Sequence, residues 1–236
     1  MVMPYRPVST ITATVRGWTM TYPGAQATYR LADALFLIGH DEFTGKPHVA
    51  VDRLECGLAG AALAELMFEG RIALDGGGIA AVDPRLWQEP LTDLLITEIL
   101  RREGAHPARL WIRYLRTQLN INERVGTRLV TAGVLRREQG KLIGRQVRWP
   151  AIDPNQAASP RVRLTAMLMH SSPAELDPGT LLLASLGEAV GLAAHIFDPQ
   201  VGGRMRDCRR FLPAQLDGLL AAVVGALDVS TTTVRR

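Results

Sequence analysis

Glu65 and Glu69 are the first side chains in this sequence whose types and spacing could do chemistry. They lie in LECGLAGAALAELMFEGRIAL, residues 54–74, among Ala, Gly and Leu. One helical turn apart, they share a helix face and could form one wall of a site. A solvated edge or an ion pair with Arg71 accounts for them equally well. Five histidines, His40, His48, His106, His170 and His195, complete the obvious inventory. None stands with a carboxylate or cysteine at metal-ligand spacing, so no metal is expected. His195, inside an apolar run, reads as a core histidine. Ser185 has no Gly-x-Ser-x-Gly elbow around it. The run Gly76–Gly78 precedes no Gly-Lys-Ser/Thr and reads as a hairpin turn rather than a phosphate loop. No catalytic residue, cofactor or enzymatic activity is expected.

Arginine is the other chemical resource. Of 27 basic residues only Lys46 and Lys141 are lysines, which leaves 25 arginines (27 − 2) in a chain of net charge +4. Arginine grips phosphate and carboxylate through two points at once. Codon bias in a GC-rich genome inflates it as well, so only the placement of arginines is informative. Cys56 and Cys208 stand far apart and form neither a disulfide framework nor a metal set, which suits a reduced cytoplasmic compartment. The amino terminus lacks the continuous apolar core of a signal peptide. A membrane span needs ~20 uncharged apolar residues. The run from Leu58 stops at Glu65, and the run from Thr180 stops at Glu188. The chain can lie on a membrane and is not expected to cross one.

Hydrophobic pattern outlines the elements that must position these groups. Residues 1–30 form an arm rich in Thr, Pro and Tyr, with strand-like composition. Leu31, Leu35 and Ile38 mark a short helix, followed by the turn DEFTGK. Residues 54–74 are apolar nearly all round, which predicts a buried core helix with close neighbours at Gly57 and Gly60 and an end at Gly70. RIALDGGGIAAVD predicts two short strands. Pro90 opens a helix with Leu91, Leu94, Leu95 and Ile99 inside, and a second starts near Pro107 with Leu110, Trp111, Tyr114 and Leu115. Residues 120–149 read as a helix stopped at Gly133 and a basic hairpin turning at Gln139–Gly140. The proline-containing stretch 150–163 reads as a turn-rich connection, with helix resuming near Val162. Asp177-Pro178 caps a nearly all-apolar helix reaching Phe197, expected to be central. RMRDCRRFL begins a basic helix, and Pro213–Leu227 forms the last. One mostly helical domain, 31–236, is the simplest account.

Three stretches in this order, LADALFLIGHDEFTGK, GLAGAALAELMFEGRIAL and ERVGTRLVTAGVL, resemble the Golgi phosphoprotein 3 family, which has many bacterial members. The likeness runs from about Leu31 to Ala226 and leaves the arm uncovered. It implies a mainly α, single globular domain with a central apolar helix ringed by amphipathic helices, plus short β-hairpins. Eukaryotic members are peripheral membrane proteins that bind phosphatidylinositol 4-phosphate and the cytosolic tails of glycosyltransferases, and oligomerise through a hairpin. Of the family's headgroup residues, the Trp position falls on Ala50, one Arg on Ala59 and another on Asn122. The remaining Arg falls near Leu119 or, with a short shift, on Arg116. The resemblance therefore implies a peripheral or adaptor protein that binds anionic phospholipid less specifically than its relatives, phosphatidylinositol phosphate included, at the inner face of a membrane.

A basic cluster takes the place of that pocket: Arg113, Arg116, Arg124 and Arg128 surround the later helix start, and Arg136, Arg137, Lys141, Arg145 and Arg148 decorate the hairpin. The hairpin also carries Leu135, Leu142, Ile143, Val147 and Trp149, which are expected to be exposed and to join copies into a homo-oligomer. An oligomeric interaction module without lipid binding, taking protein tails, is one alternative. A winged-helix-like nucleic-acid module at 107–149 is another, but Val125, Leu129 and Val130 leave its second helix little polar face.

Overall fold

The fold is described from a computed structural model. It describes residues 29–86, 89–139 and 147–233, with backbone alone for the strands at 13–15 and 18–20. Among the described residues ten α-helices dominate, with a small three-stranded antiparallel sheet. The expected single, mainly α domain is what forms.

Within the arm, β1 (Ala13–Val15) pairs antiparallel with β2 (Trp18–Met20). Then come α1 (Leu31–Gly39) and α2 (Val51–Phe68). Strands β3 (Ile72–Asp75) and β4 (Gly78–Ala81) form the expected hairpin, and β5 (His106–Pro107) adds to β4. Helices α3 (Pro90–Arg101), α4 (Ala108–Thr117) and α5 (Ile121–Thr131) follow. The rest is α6 (Pro154–His170), α7 (Pro178–Ala189), α8 (Leu192–Ile196), α9 (Pro199–Cys208) and α10 (Ala214–Thr233).

Helix α2 is the centre. It packs against α1, α4, α5, α7 and α10, and every residue from Cys56 to Leu66 is buried. Small residues make this possible. A Cβ at Gly57 would lie 2.7 Å from Val190 Cγ1, and one at Gly60 would lie 2.5 Å from Val223 Cγ2. Both are closer than real side chains approach, so glycine sets the α2–α10 and α2–α7 spacing.

Two expectations about helices fail for identifiable reasons. The apolar run 180–197 is not one central helix. Asp177 caps α7 as expected, accepting from the amides of Gly179 and Thr180, but the helix ends at Gly191, whose φ is +97°. Arg53, from α2, closes that end: its Nε donates to Val190 O at 3.0 Å and its Nη2 to Ala189 O at 2.9 Å. Gly191 is the local stop signal in the sequence; the cap supplied from another helix leaves none.

Of residues 150–163, those from Pro154 onward are helix rather than connection. Pro154 sits in the first turn of α6, where its missing N–H costs little, and Asp153 caps the helix by accepting from Asn155 N at 2.9 Å. Pro160 lies inside the helix and deprives Gln156 O of its usual amide donor. That carbonyl instead accepts from Ser159 Oγ at 2.8 Å and from Tyr29 OH at 3.4 Å.

The hairpin after α5 is present at its base, where Leu135 pairs with Ala151 and Glu138 with Arg148. Leu135 and Trp149 are not exposed. They are 3% and 1% accessible and belong to the core. The indole of Trp149 lies edge-on to Phe36, 5.9 Å between ring centres. The interface role expected of these two residues is therefore overturned. Leu142 and Ile143, with Lys141 and Arg145, lie outside the described residues.

Candidate anionic-lipid site

Helix α4, ARLWIRYLRT, shows how the sequence builds a charged face. Ala108, Trp111, Ile112 and Leu115 turn inward and are buried. The 3.6-residue period then sends Arg109, Arg113 and Arg116 outward, at i, i+4 and i+7. The helix has no carboxylate of its own. Arg109 and Arg113 are exposed, and Leu110 beside them is 45% accessible. Neither arginine has an ion-pair partner among the described residues. Arg109 was missed in the sequence reading. The i, i+4, i+7 spacing with Arg113 and Arg116 was the signal that could have found it.

Arg116 differs. It is half-buried at the α4 end, with Nη1 3.4 Å from Cys56 Sγ. Asp52 and Glu55, from the start of α2, lie within its field. Burial pushes the Glu55 carboxyl up to about 7; Asp52 adds to the rise and Arg116 opposes it. The Cys56 thiol is also pushed up, first by burial.

The α4–α5 corner turns through Asn120, at φ +48°. Arg124 is exposed there, and its Nε donates to Leu119 O at 2.7 Å. Arg113, Arg116 and Arg124 are therefore gathered at the end of α4 and the start of α5. Asn122 is half-buried with its Oδ1 enclosed and without a hydrogen-bond partner. Ala50 stands exposed at the N-cap of α2 and offers no side-chain cap. Ala59 is wholly buried in the core, so that position does not face the surface.

Arg128 does not belong to this face. It is 14% accessible, with Nη2 2.8 Å from Asp33 Oδ1, Nη1 3.5 Å from Glu65 and 3.7 Å from Glu89. Burial works against its charge, but these carboxylates outweigh it and hold the guanidinium above its ordinary range. Arg30 completes the cluster, at 3.5 Å from Glu69 and 3.1 Å from Thr92 Oγ1. The sequence reading placed Arg128 at a lipid headgroup; its i−3 and i+1 neighbours, Val125 and Leu129, are both fully inside. A helix position flanked by buried residues on that face is drawn inward with them.

Glu65 and Glu69 are explained by the same cluster. Glu65 Oε1 accepts from Ala32 N at 2.7 Å and so caps α1 from α2. Arg71 pairs instead with Asp83, at 3.1 Å. Burial pushes Asp33 up to about 7, against the pull of Arg128. Burial would raise Glu89 too, but hydrogen bonds from Thr92 and the charge of Arg128 bring it below its ordinary value.

His48, which the sequence left without ligand-spaced neighbours, is brought beside Asp41 and Glu42, with donor atoms within 4.8 Å of one another. Those carboxylates already have work. Asp41 Oδ1 accepts from Thr44 N at 2.7 Å, and Glu42 pairs with Arg161 at 3.0 Å. Among the described residues, no helix is long and apolar enough to cross a membrane.

A mainly α domain built round one buried, glycine-notched helix, with a basic amphipathic helix packed on it, defines the class. The family model of Golgi phosphoprotein 3 (GPP34) matches residues 31–228, and the chain belongs to that family. A comparison with curated proteins returned no match.

Proposed function

We propose that this protein is a non-catalytic peripheral membrane protein that binds anionic phospholipid through the outer face of α4 and the start of α5. The observation that carries the reading is Arg109 and Arg113, both exposed on a helix with no carboxylate of its own and with Leu110 exposed beside them, with half-buried Arg116 at its end and exposed Arg124 at the start of α5. A cation close to an anionic leaflet contributes about 1 kcal/mol, and the attraction is screened by salt. An exposed leucine between arginines suits the headgroup–acyl boundary. Family membership supports the same reading. Because Ala50 and Asn122 stand where the resemblance places headgroup residues, the binding is directed at surface charge rather than at one headgroup.

Cosedimentation tests this with phosphatidylcholine vesicles, with and without phosphatidylglycerol, at low and high salt. Wild type binds only the anionic vesicles, and less at high salt. Arg109→Gln/Arg113→Gln reduces partition about 30-fold, the equivalent of about 2 kcal/mol. Wild type left in the supernatant at low salt would refute the reading. Selective binding of vesicles carrying phosphatidylinositol 4-phosphate would refute the claim of low specificity.

A further inference from the structure

A second basic concavity lies elsewhere in the fold, where α9 gives way to α10. The chain RMRDCRRFLPAQLD passes from α9 through a single 3-10 turn, Arg209–Phe211, into α10. Arg206, Arg209, Arg210, Leu212, Ala214 and Asp217 line a groove of about 510 Å³. Half of these residues are arginines. Arg209 is held by a carboxylate, its Nε 2.8 Å from Asp217 Oδ1, whereas Arg210, 80% accessible, makes only a loose surface pair with Asp207, Nη1 to Oδ1 at 3.6 Å. Arg206 is exposed and has no carboxylate partner among the described residues. The groove therefore keeps a surplus positive charge and a guanidinium fork that is free to take an anion.

Two further features define the anion. Pro213, which precedes α10, has no side-chain acceptor for the first amides of that helix, and Ala214, its first residue, lines the groove. A phosphate group suits both donors. Phe211, between Arg210 and Leu212, is 45% accessible. An exposed apolar ring next to arginines suits the headgroup–acyl boundary.

We propose that this groove is a second anionic-lipid site, in which Arg206 and Arg210 hold the lipid phosphate and Phe211 enters the interface. The proposal extends the membrane reading above and rests on it. The groove shares no residue with the α4–α5 face, so the two are separable by mutation.

The test compares three double variants on phosphatidylcholine vesicles with and without phosphatidylglycerol. They are Arg206→Gln/Arg210→Gln, Arg109→Gln/Arg113→Gln and, as a control of equal charge loss, Arg85→Gln/Arg101→Gln. Arg210, Arg85 and Arg101 are 80%, 82% and 62% accessible, so the core is untouched. The groove variant is expected to lose about 30-fold in partition while the control stays near wild type. Phe211→Ser is expected to weaken binding without changing its salt dependence. A groove variant no weaker than the control, beside a defective α4 variant, overturns this inference and leaves the α4 reading standing. Failure of wild type to bind any vesicle overturns both. Calorimetry with inorganic pyrophosphate separates the source of the phosphate. If the groove variant loses pyrophosphate binding but keeps vesicle binding, the occupant is a soluble phosphate compound and the lipid assignment is wrong.

Discussion

Arg128 of α5 holds Asp33 of α1 at 2.8 Å, beneath the surface, with Glu65 of α2 at 3.5 Å from the same guanidinium. One cation thereby joins three helices. Arg128→Gln would leave buried carboxylates facing one another without it. Truncating one partner of such a cluster costs about 3–5 kcal/mol. Urea denaturation checks this, and a loss under about 1 kcal/mol would mean that the cluster relaxes into water.

Gly126, on the same helix, faces the indole of Trp149. A Cβ there would stand 2.8 Å from three of its ring carbons. The ring is rigid and fully enclosed, so it cannot yield as a flexible side chain would. Gly126→Ala is expected to destabilise by about 1–3 kcal/mol, despite the better helix propensity of alanine. A stabilised variant in thermal melts would show that the ring moves freely.

The cap that Arg53 places on α7 also has a measurable value. Arg53→Leu keeps the aliphatic stem but strands the carbonyls of Ala189 and Val190. A buried group left unpaired costs about 1–3 kcal/mol. Faster amide exchange at the end of α7, with α3 unchanged, is the expected pattern. Uniform acceleration would point to global loosening instead.

Acid titration should expose two buried groups working in opposite senses. His40 is enclosed, with Nδ1 donating to Phe36 O at 2.8 Å, and burial pushes it down to about 4 from 6.5. The unfolded chain binds the proton more tightly, so this contribution is present above 6.5 and lost as pH falls towards 4. Asp33 is raised from 3.8 to about 7. Its folded state binds the proton more tightly, so its contribution is full below 3.8 and lost as pH rises to 7. Each slope reaches at most about 1.4 kcal/mol per pH unit. Asp33→Asn should therefore gain stability with rising pH between 4 and 6.5, and His40→Gln should lose it. Urea midpoints across that range decide; parallel curves for both variants and wild type would contradict the assignment.

Much of the fold was legible because its signals are local. The apolar sweep of residues 54–74, the Gly76–Gly78 turn and the cap at Asp177 each declare themselves within a few residues. The failures share a different cause. The capping of the α7 end depends on Arg53, the carbonyl freed by Pro160 on Tyr29, and the burial of Arg128 on Asp33, Glu65 and Glu89. In each case the deciding partner is distant in the chain. The basic face of α4 was only half legible. Arg113 and Arg116 stood out as part of a cluster, but Arg109 needed the helix register before its place beside them was evident.

Pro160 carries a consequence for how this sequence can drift. Its ring leaves Gln156 O to the hydroxyls of Ser159 and Tyr29. Restoring an amide at 160 would make both hydroxyls redundant, whereas losing Ser159 while proline remains would leave the carbonyl to Tyr29 and water. The effects of substitution at the three positions are therefore coupled. Through Tyr29 that coupling reaches the root of the amino-terminal arm.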